Sequence, residues 1–157
     1  MKAFFRKLGL FAACGFGTGM FAPFAPGTFG SIPGVALAYA TTLLPPLPQA
    51  AVCLAFALAA IPLCTLAENM LGVKDDGRIC ADEWMLFPIA VFGIPLASLP
   101  WQAMALFFVV TRIFDATKPP PARRLQALPG GLGIVIDDFI ANIYALAANW
   151  TLYVLAK

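Results

Sequence analysis

Residues 132–155 read LGIVIDDFIANIYALAANWTLYVL. The stretch is apolar almost throughout and exceeds the roughly 20 residues that a helix needs to cross a bilayer. Yet Asp137 and Asp138 stand side by side directly after Ile134, Val135 and Ile136. A carboxylate pair in that place is partly desolvated and repels itself, so it calls for a cation beside it. Acids inside a membrane are costly and default to a functional role.

The rest of the chain has the same character. Of its 157 residues, 61% are hydrophobic and 11% charged, and mean hydropathy is +0.86. Soluble domains carry about 25% charged residues. So few charges cannot coat a soluble surface, which points to an integral membrane protein. Four further segments have spanning character, at residues 32–47, 50–71, 84–99 and 101–116. Only 50–71 and 132–155 reach full length; the other three are short and thin the bilayer or stop within it. Pro45, Pro46 and Pro48 close the first of the five, and Pro100 separates the third from the fourth. Residues 1–16 place Lys2, Arg6 and Lys7 ahead of a short apolar run, which reads as an interfacial amphipathic helix in preference to a signal peptide. The expectation is one all-α, multi-pass transmembrane domain over residues 1–157, with about five short or interrupted spans and an N-terminal interfacial helix.

Charge sets the orientation. With the amino terminus inside, Lys2, Arg6, Lys7, Lys74, Arg78, Lys118, Arg123 and Arg124 fall in inner loops, and Arg112 lies one turn within that boundary. Only Lys157 falls on the other side, as the positive-inside rule requires. Trp101, Trp150 and Tyr153 form an outer aromatic belt.

Several chemistries are excluded. There is no histidine, which removes His-based phosphatases, triads and most zinc enzymes. Cys14, Cys53, Cys64 and Cys80 form no CxxC pair and lack phosphocysteine spacing to an arginine, so they read as small hydrophobes. A net charge of +2, with the basic residues spread along the chain, argues against nucleic acid.

All eight acids follow residue 67: Glu68, Asp75, Asp76, Asp82, Glu83, Asp115, Asp137 and Asp138. In this topology each sits at or near the inner boundary. Singly, each has an ordinary explanation. Asp82 and Glu83 open a helix, where carboxylates meet free N–H groups. Asp137 and Asp138 follow a Gly-rich turn and begin the next helix. Asp115 lies three residues from both Arg112 and Lys118, and Asp75 and Asp76 stand in a turn beside Gly77. Together they need compensation by Arg, Lys or a metal. Oxygen-only ligands suit Mg²⁺, Mn²⁺ or Ca²⁺, and Mg²⁺ typically partners phosphate. Pro26-Gly27-Thr28-Phe29-Gly30-Ser31 is a Gly/hydroxyl turn entering a helix, suited to an anion, with Arg112 and Lys118 as cations.

Four blocks carry a family resemblance. They are Gly17-Thr18-Gly19 with Pro26–Ser31, then Lys74-Asp75-Asp76-Gly77-Arg78-Ile79-Cys80-Ala81-Asp82-Glu83, then residues 112–121, RIFDATKPPP, then residues 130–138, GGLGIVIDD. In this order they resemble the phosphatidylglycerophosphatase A family from about residue 15 to 142. The resemblance implies a Mg²⁺-dependent phosphatase of the bacterial inner membrane, its active site facing the cytoplasm. It would take phosphatidylglycerophosphate to phosphatidylglycerol and phosphate. The acidic motif positions are Asp75, Asp82, Glu83, Asp115, Asp137 and Asp138, with Asp76 at a variable place. Leu86 and Asn142 stand where the family usually has Gly, swaps that tighten helix packing or reshape the pocket.

On that footing Asp82, Glu83, Asp137 and Asp138 are the expected holders of one or two Mg²⁺ ions. Asp75, Asp82, Glu83, Asp115 and Asp138 are the expected catalytic acids, with Asp115 ligating or orienting water. Thr28, Ser31, Arg112 and Lys118 are expected to grip the phosphate oxygens. Water attack is preferred to a carboxylate nucleophile. The rivals are another lipid-phosphate phosphatase and an ion-coupled small transporter, which would also carry intramembrane acids.

Overall fold

The computed structural model describes residues 2–21 and 25–156; Met1 and Lys157, the single outer cation of the sequence reading, lie outside them. Among the described residues the protein is helical, with no strand. A first helix, α1 (Lys2–Ala13), is followed by two short pieces, α2 (Thr18–Phe21) and α3 (Pro26–Gly30). The bundle itself comprises α4 (Ile32–Thr42), α5 (Pro46–Leu71), α6 (Ala81–Ala90), α7 (Trp101–Thr117) and α9 (Gly131–Leu155), with α8 (Ala122–Leu125) joining the last two.

Two helices, α5 and α9, are long and apolar enough to cross a membrane. α5 begins with Pro46, whose missing N–H costs nothing in a first turn. It ends where Gly72, at φ +71, donates to the Glu68 carbonyl at 2.9 Å. Its small residues Cys53, Ala57, Ala60, Cys64 and Ala67 are buried in a stripe at alternating spacings of four and three. Such a stripe of small residues lets neighbouring backbones come close. The opposite face, with Leu47, Leu54 and Leu58, is exposed.

The shorter segments break where their prolines and glycines dictate. Residues 32–47 are helical only to Thr42, because Leu44 precedes Pro45 and is pushed out of the helical region. Residues 84–99 do not make one helix. α6 stops at Ala90, Gly93 adopts φ +73, and a single 3₁₀ turn, Leu96–Ser98, follows Pro95. The backbone groups freed by that break are met by side chains of the long helices. Gly93 N–H donates to Gln49 Oε1 at 3.2 Å, Asn149 Nδ2 to the Ala90 carbonyl at 2.9 Å, and Trp150 Nε1 to the Phe92 carbonyl at 2.8 Å. Irregular backbone in the interior survives only when its polar groups are satisfied in this way.

α6 is the centre of the molecule, buried along nearly its whole length. On one side Met85, Leu86 and Ile89 pack with α1, α5 and α9. On the other, Phe87 and Val91 pack with α4 and α7 through Ala38, Met104 and Phe107. Because α4, α6 and α9 all start, and α5 and α7 all end, at one end of the bundle, their termini gather there.

Candidate active site

That end gathers five carboxylates from α6, α7 and α9. Asp82 and Glu83 lie in the first turn of α6, Asp115 in the last turn of α7, and Asp137 and Asp138 in the second turn of α9. Burial is severe: Asp82 is 6% exposed, Asp115 9%, Asp137 1% and Asp138 3%. Helix N-termini favour negative charge, which explains the placement of the α6 pair. Asp137 and Asp138 need partners as well.

Two cations face these acids. Arg112 Nη1 lies 3.0 Å from Glu83 Oε1 and 2.8 Å from Asp115 Oδ2, so it ties α7 to α6. It also donates to Ser31 Oγ at 3.2 Å. Ser31 Oγ in turn lies 2.8 Å from Glu83 Oε2 and 2.7 Å from the Gly27 carbonyl, and can donate to either. Lys118 pairs with Asp137 rather than with Asp115, the partner that spacing also offered it. It does so from a left-handed turn at φ +44, which swings its side chain toward α9. Burial works against the Lys118 charge, but the Asp137 contact and the carboxylates of Asp138 and Asp115 hold its ammonium well above the ordinary range. Asp82 Oδ1 is buried with no hydrogen-bond partner.

Local sequence builds this constellation. A Cβ on Gly27 would lie 2.2 Å from Glu83 Oε1, so only glycine leaves Glu83 free to reach Ser31 and Arg112. A Cβ on Gly131 would lie 2.1 Å from the Ile61 carbonyl. The bare backbone there lets α9 seat against α5, with Gly131 N–H donating to Thr65 Oγ1 at 2.9 Å. Asp137 Oδ1 accepts the Asp138 N–H at 3.0 Å, which fixes the doublet.

Not every expected residue joins. Asp75 is exposed and accepts from Gln126 Nε2 at 2.6 Å, outside the buried group. Asp76 is a turn acid: its hydrogen bonds from Arg78, at 2.8 and 2.7 Å, hold its carboxyl below the usual range. Thr28 lies in α3, part-buried, and its hydroxyl meets none of the five acids. Leu86 is fully buried, and Asn142 Nδ2 donates to the Asp138 carbonyl at 2.8 Å. Sequence reasoning missed the Ser31–Glu83 contact, whose only advance sign was that both flank a motif. The four cysteines are free and buried, as small hydrophobes would be.

The donor chemistry suits a hard divalent cation. Five carboxylates face two cations, all donors are oxygens, and Asp82 Oδ1 has no partner. As placed, however, no three of the described acids converge on one point.

A family model for phosphatidylglycerophosphatase A matches residues 11–153. The chain belongs to the phosphatidylglycerophosphatase A family. It is 34% identical over 151 residues to the phosphatidylglycerophosphatase A of Escherichia coli, covering 92% of this chain and 86% of that one. To the protein of the same name in Haemophilus influenzae it is 39% identical over 139 residues, or 85% of this chain and 82% of the other. A Bacteroides thetaiotaomicron protein named putative phosphatidylinositol-3-phosphatase is 32% identical over 147 residues, 88% of this chain and 91% of that one. No solved structure matches the chain.

Proposed function

We propose that this phosphatase-family protein hydrolyses the terminal phosphomonoester of phosphatidylglycerophosphate, with Mg²⁺, at the cytoplasmic face of a bacterial inner membrane. The observation that carries the reading is the buried acid group with Arg112 and Lys118 at its two sides, at one end of an apolar bundle, in a member of this family. A lipid held by its tails presents its phosphate at head-group depth. Acids gathered at a bundle end lie where such a phosphate would be met. The exposed apolar faces of α4, α5, α7 and α9 support about five short or full spans, with α1 lying along the interface. α5 in particular has only 28% of its most apolar window buried, where the core helix of a soluble protein would be mostly covered.

Each residue has a task. Arg112 is held by Glu83, Asp115 and Ser31, so its guanidinium is fixed in place before substrate arrives and can take non-bridging phosphate oxygens. Lys118 does the same from the α9 side. Asp82 Oδ1, buried without a partner, accepts a proton of attacking water, and Asp115 or Asp138 returns a proton to the leaving alkoxide. Asp82, Glu83, Asp137 and Asp138 would hold Mg²⁺ once their side chains draw together, since as placed no three of the described acids converge. When bound, the ion supplies charge neutralisation at the phosphoryl group, which a loose transition state rewards.

Phosphate release by the purified protein tests this. Release from phosphatidylglycerophosphate should depend on Mg²⁺, stop with EDTA, and exceed release from phosphatidic acid and phosphatidylinositol 3-phosphate. Asp82→Asn, Asp115→Asn and Asp138→Asn should each lower turnover by about 100-fold or more, the scale of a lost general acid or base, while the protein stays folded. Near-normal release in all three would overturn the assignment. Preference for phosphatidylinositol 3-phosphate would instead move the head-group reading toward the relative of that name.

A further inference from the structure

An apolar groove runs between α4 and α7, and one end of it lies next to Ser31 and Arg112 at the acid site. Its volume is about 430 Å³, and its walls include Ile32, Val35 and Tyr39 from α4 and Met104, Phe108 and Val109 from α7. Ile32 directly follows Ser31, and Val109 lies one turn before Arg112. The Arg112–Ser31 hydrogen bond therefore lies just beyond the site end of the groove. Trp101 lines the far mouth, and the floor is the buried Met104.

We infer that this groove seats one acyl chain of the lipid substrate, so that the head group leaving its inner end passes over Arg112 into the carboxylates. The inference rests on the lipid-phosphatase reading and adds the place of the tail. The groove has the polarity pattern of such a lipid: apolar along its length, with the polar Arg112–Ser31 contact next to one end. From Arg112 to Trp101 along α7 is about 16 Å at roughly 1.5 Å per residue. The groove thus extends from the site end of α7 to its aromatic end. A protein helix, about 10–12 Å across with side chains, is a poor occupant for a slot of this volume, which lies in the range of small-molecule sites, about 300–1,000 Å³. Lipid tails are as apolar as the groove, so the chain gains little by entering. What the groove provides is position, and it must act through kcat/KM for substrates that carry a chain.

The test compares two substrates: long-chain phosphatidylglycerophosphate and the same head group without acyl chains, glycerophosphoglycerophosphate. Ala105→Trp fills the groove from its exposed wall. It should lower the ratio of kcat/KM, chain-bearing over chain-free, by about tenfold, whereas Leu47→Trp on the exposed face of α5 should leave that ratio within twofold. An unchanged ratio in Ala105→Trp, or an equal fall on both substrates, would overturn the groove. A second measurement needs no variant. Phosphatidylglycerophosphate with a diazirine in its acyl chain should label residues 32–39 and 101–109 of the unaltered protein. Unlabelled phosphatidylglycerophosphate should compete, and phosphatidylcholine should not. Label spread evenly over α5 and α9, or displaced equally by both lipids, would mark ordinary surrounding lipid. If the unaltered protein hydrolyses neither substrate, the phosphatase reading fails, while the labelling still decides the groove.

Discussion

Lys118 ends α7 in a left-handed turn and reaches Asp137, a carboxylate with 1% of its surface exposed. For a residue with a Cβ such a backbone costs on the order of 1–3 kcal/mol, and residues of this kind gather at functional sites. Removing the ammonium leaves a buried charge with no partner, and breaking a buried pair from one side costs about 3–5 kcal/mol. The Lys118 side chain retains some solvent contact, so Lys118→Ala should sit near the lower end, about 3 kcal/mol. Thermal unfolding in detergent should show it as a clear drop in Tm. The double variant Lys118→Met with Asp137→Leu should recover most of that loss without recovering turnover. At this scale much of the site was legible. Asp82, Glu83, Asp115, Asp137 and Asp138 stood out because acids in an apolar chain need a reason. Asp75 did not separate from them, since a turn acid at the rim and a buried acid look alike in one dimension. Nor was the Lys118 partner readable, because three residues of helical spacing pointed to Asp115 and only the turn's handedness chose Asp137.

Among the elements, α5 and α9 were plain from length and hydropathy, and α7 agrees with its expected segment to within one residue at its end. α6 was not, because hydropathy counts Ile94 and Leu96 as it counts Ile89, yet the helix stops at Ala90. Pro88, Gly93 and Pro95 held that information, but the break is tolerable only because Gln49, Asn149 and Trp150 from other helices satisfy its backbone. Long-range partners of that kind have no local signature. The α5–α9 contact has one, the glycines before α9. Gly131→Ala would drive a Cβ into the Ile61 carbonyl and the Thr65 backbone N–H, and backbone cannot step aside as a flexible side chain can. Overpacking of this type costs about 1–3 kcal/mol or more. Gly72→Ala meets nothing within 4 Å and carries only the cost of its left-handed φ, about 1 kcal/mol. Gly131→Ala should therefore lower Tm more than Gly72→Ala, and should also lower activity by shifting Asp137 and Asp138 against α6. Equal Tm values would show that α9 is free to slide on α5.

For the whole molecule, the acid end and the basic loops coincide. The connection from α5 to α6 carries Lys74 and Arg78, and the one from α7 to α9 carries Lys118, Arg123 and Arg124. Gln126 on the second holds Asp75 on the first, so both loops lie beside the site. The opposite end carries Ser98, Trp101 and Trp150, and no Lys or Arg among the described residues. Basic residues are retained on the cytoplasmic side of a bilayer, and Trp belongs at its interfaces. We therefore propose that the site end faces the cytoplasm, where a charged phosphate product can leave directly into water. Single thiols decide it, because the four native cysteines are buried. Ser98→Cys and Arg124→Cys both place a thiol at an exposed position. A membrane-impermeant maleimide should label Ser98→Cys in intact spheroplasts and Arg124→Cys only after permeabilisation. The reverse pattern would put the carboxylates on the outer face and require the lipid phosphate to be hydrolysed there. Labelling of both from outside would mean that the site end does not lie across a membrane from the aromatic end, and the span reading of α5 and α9 would fall with it.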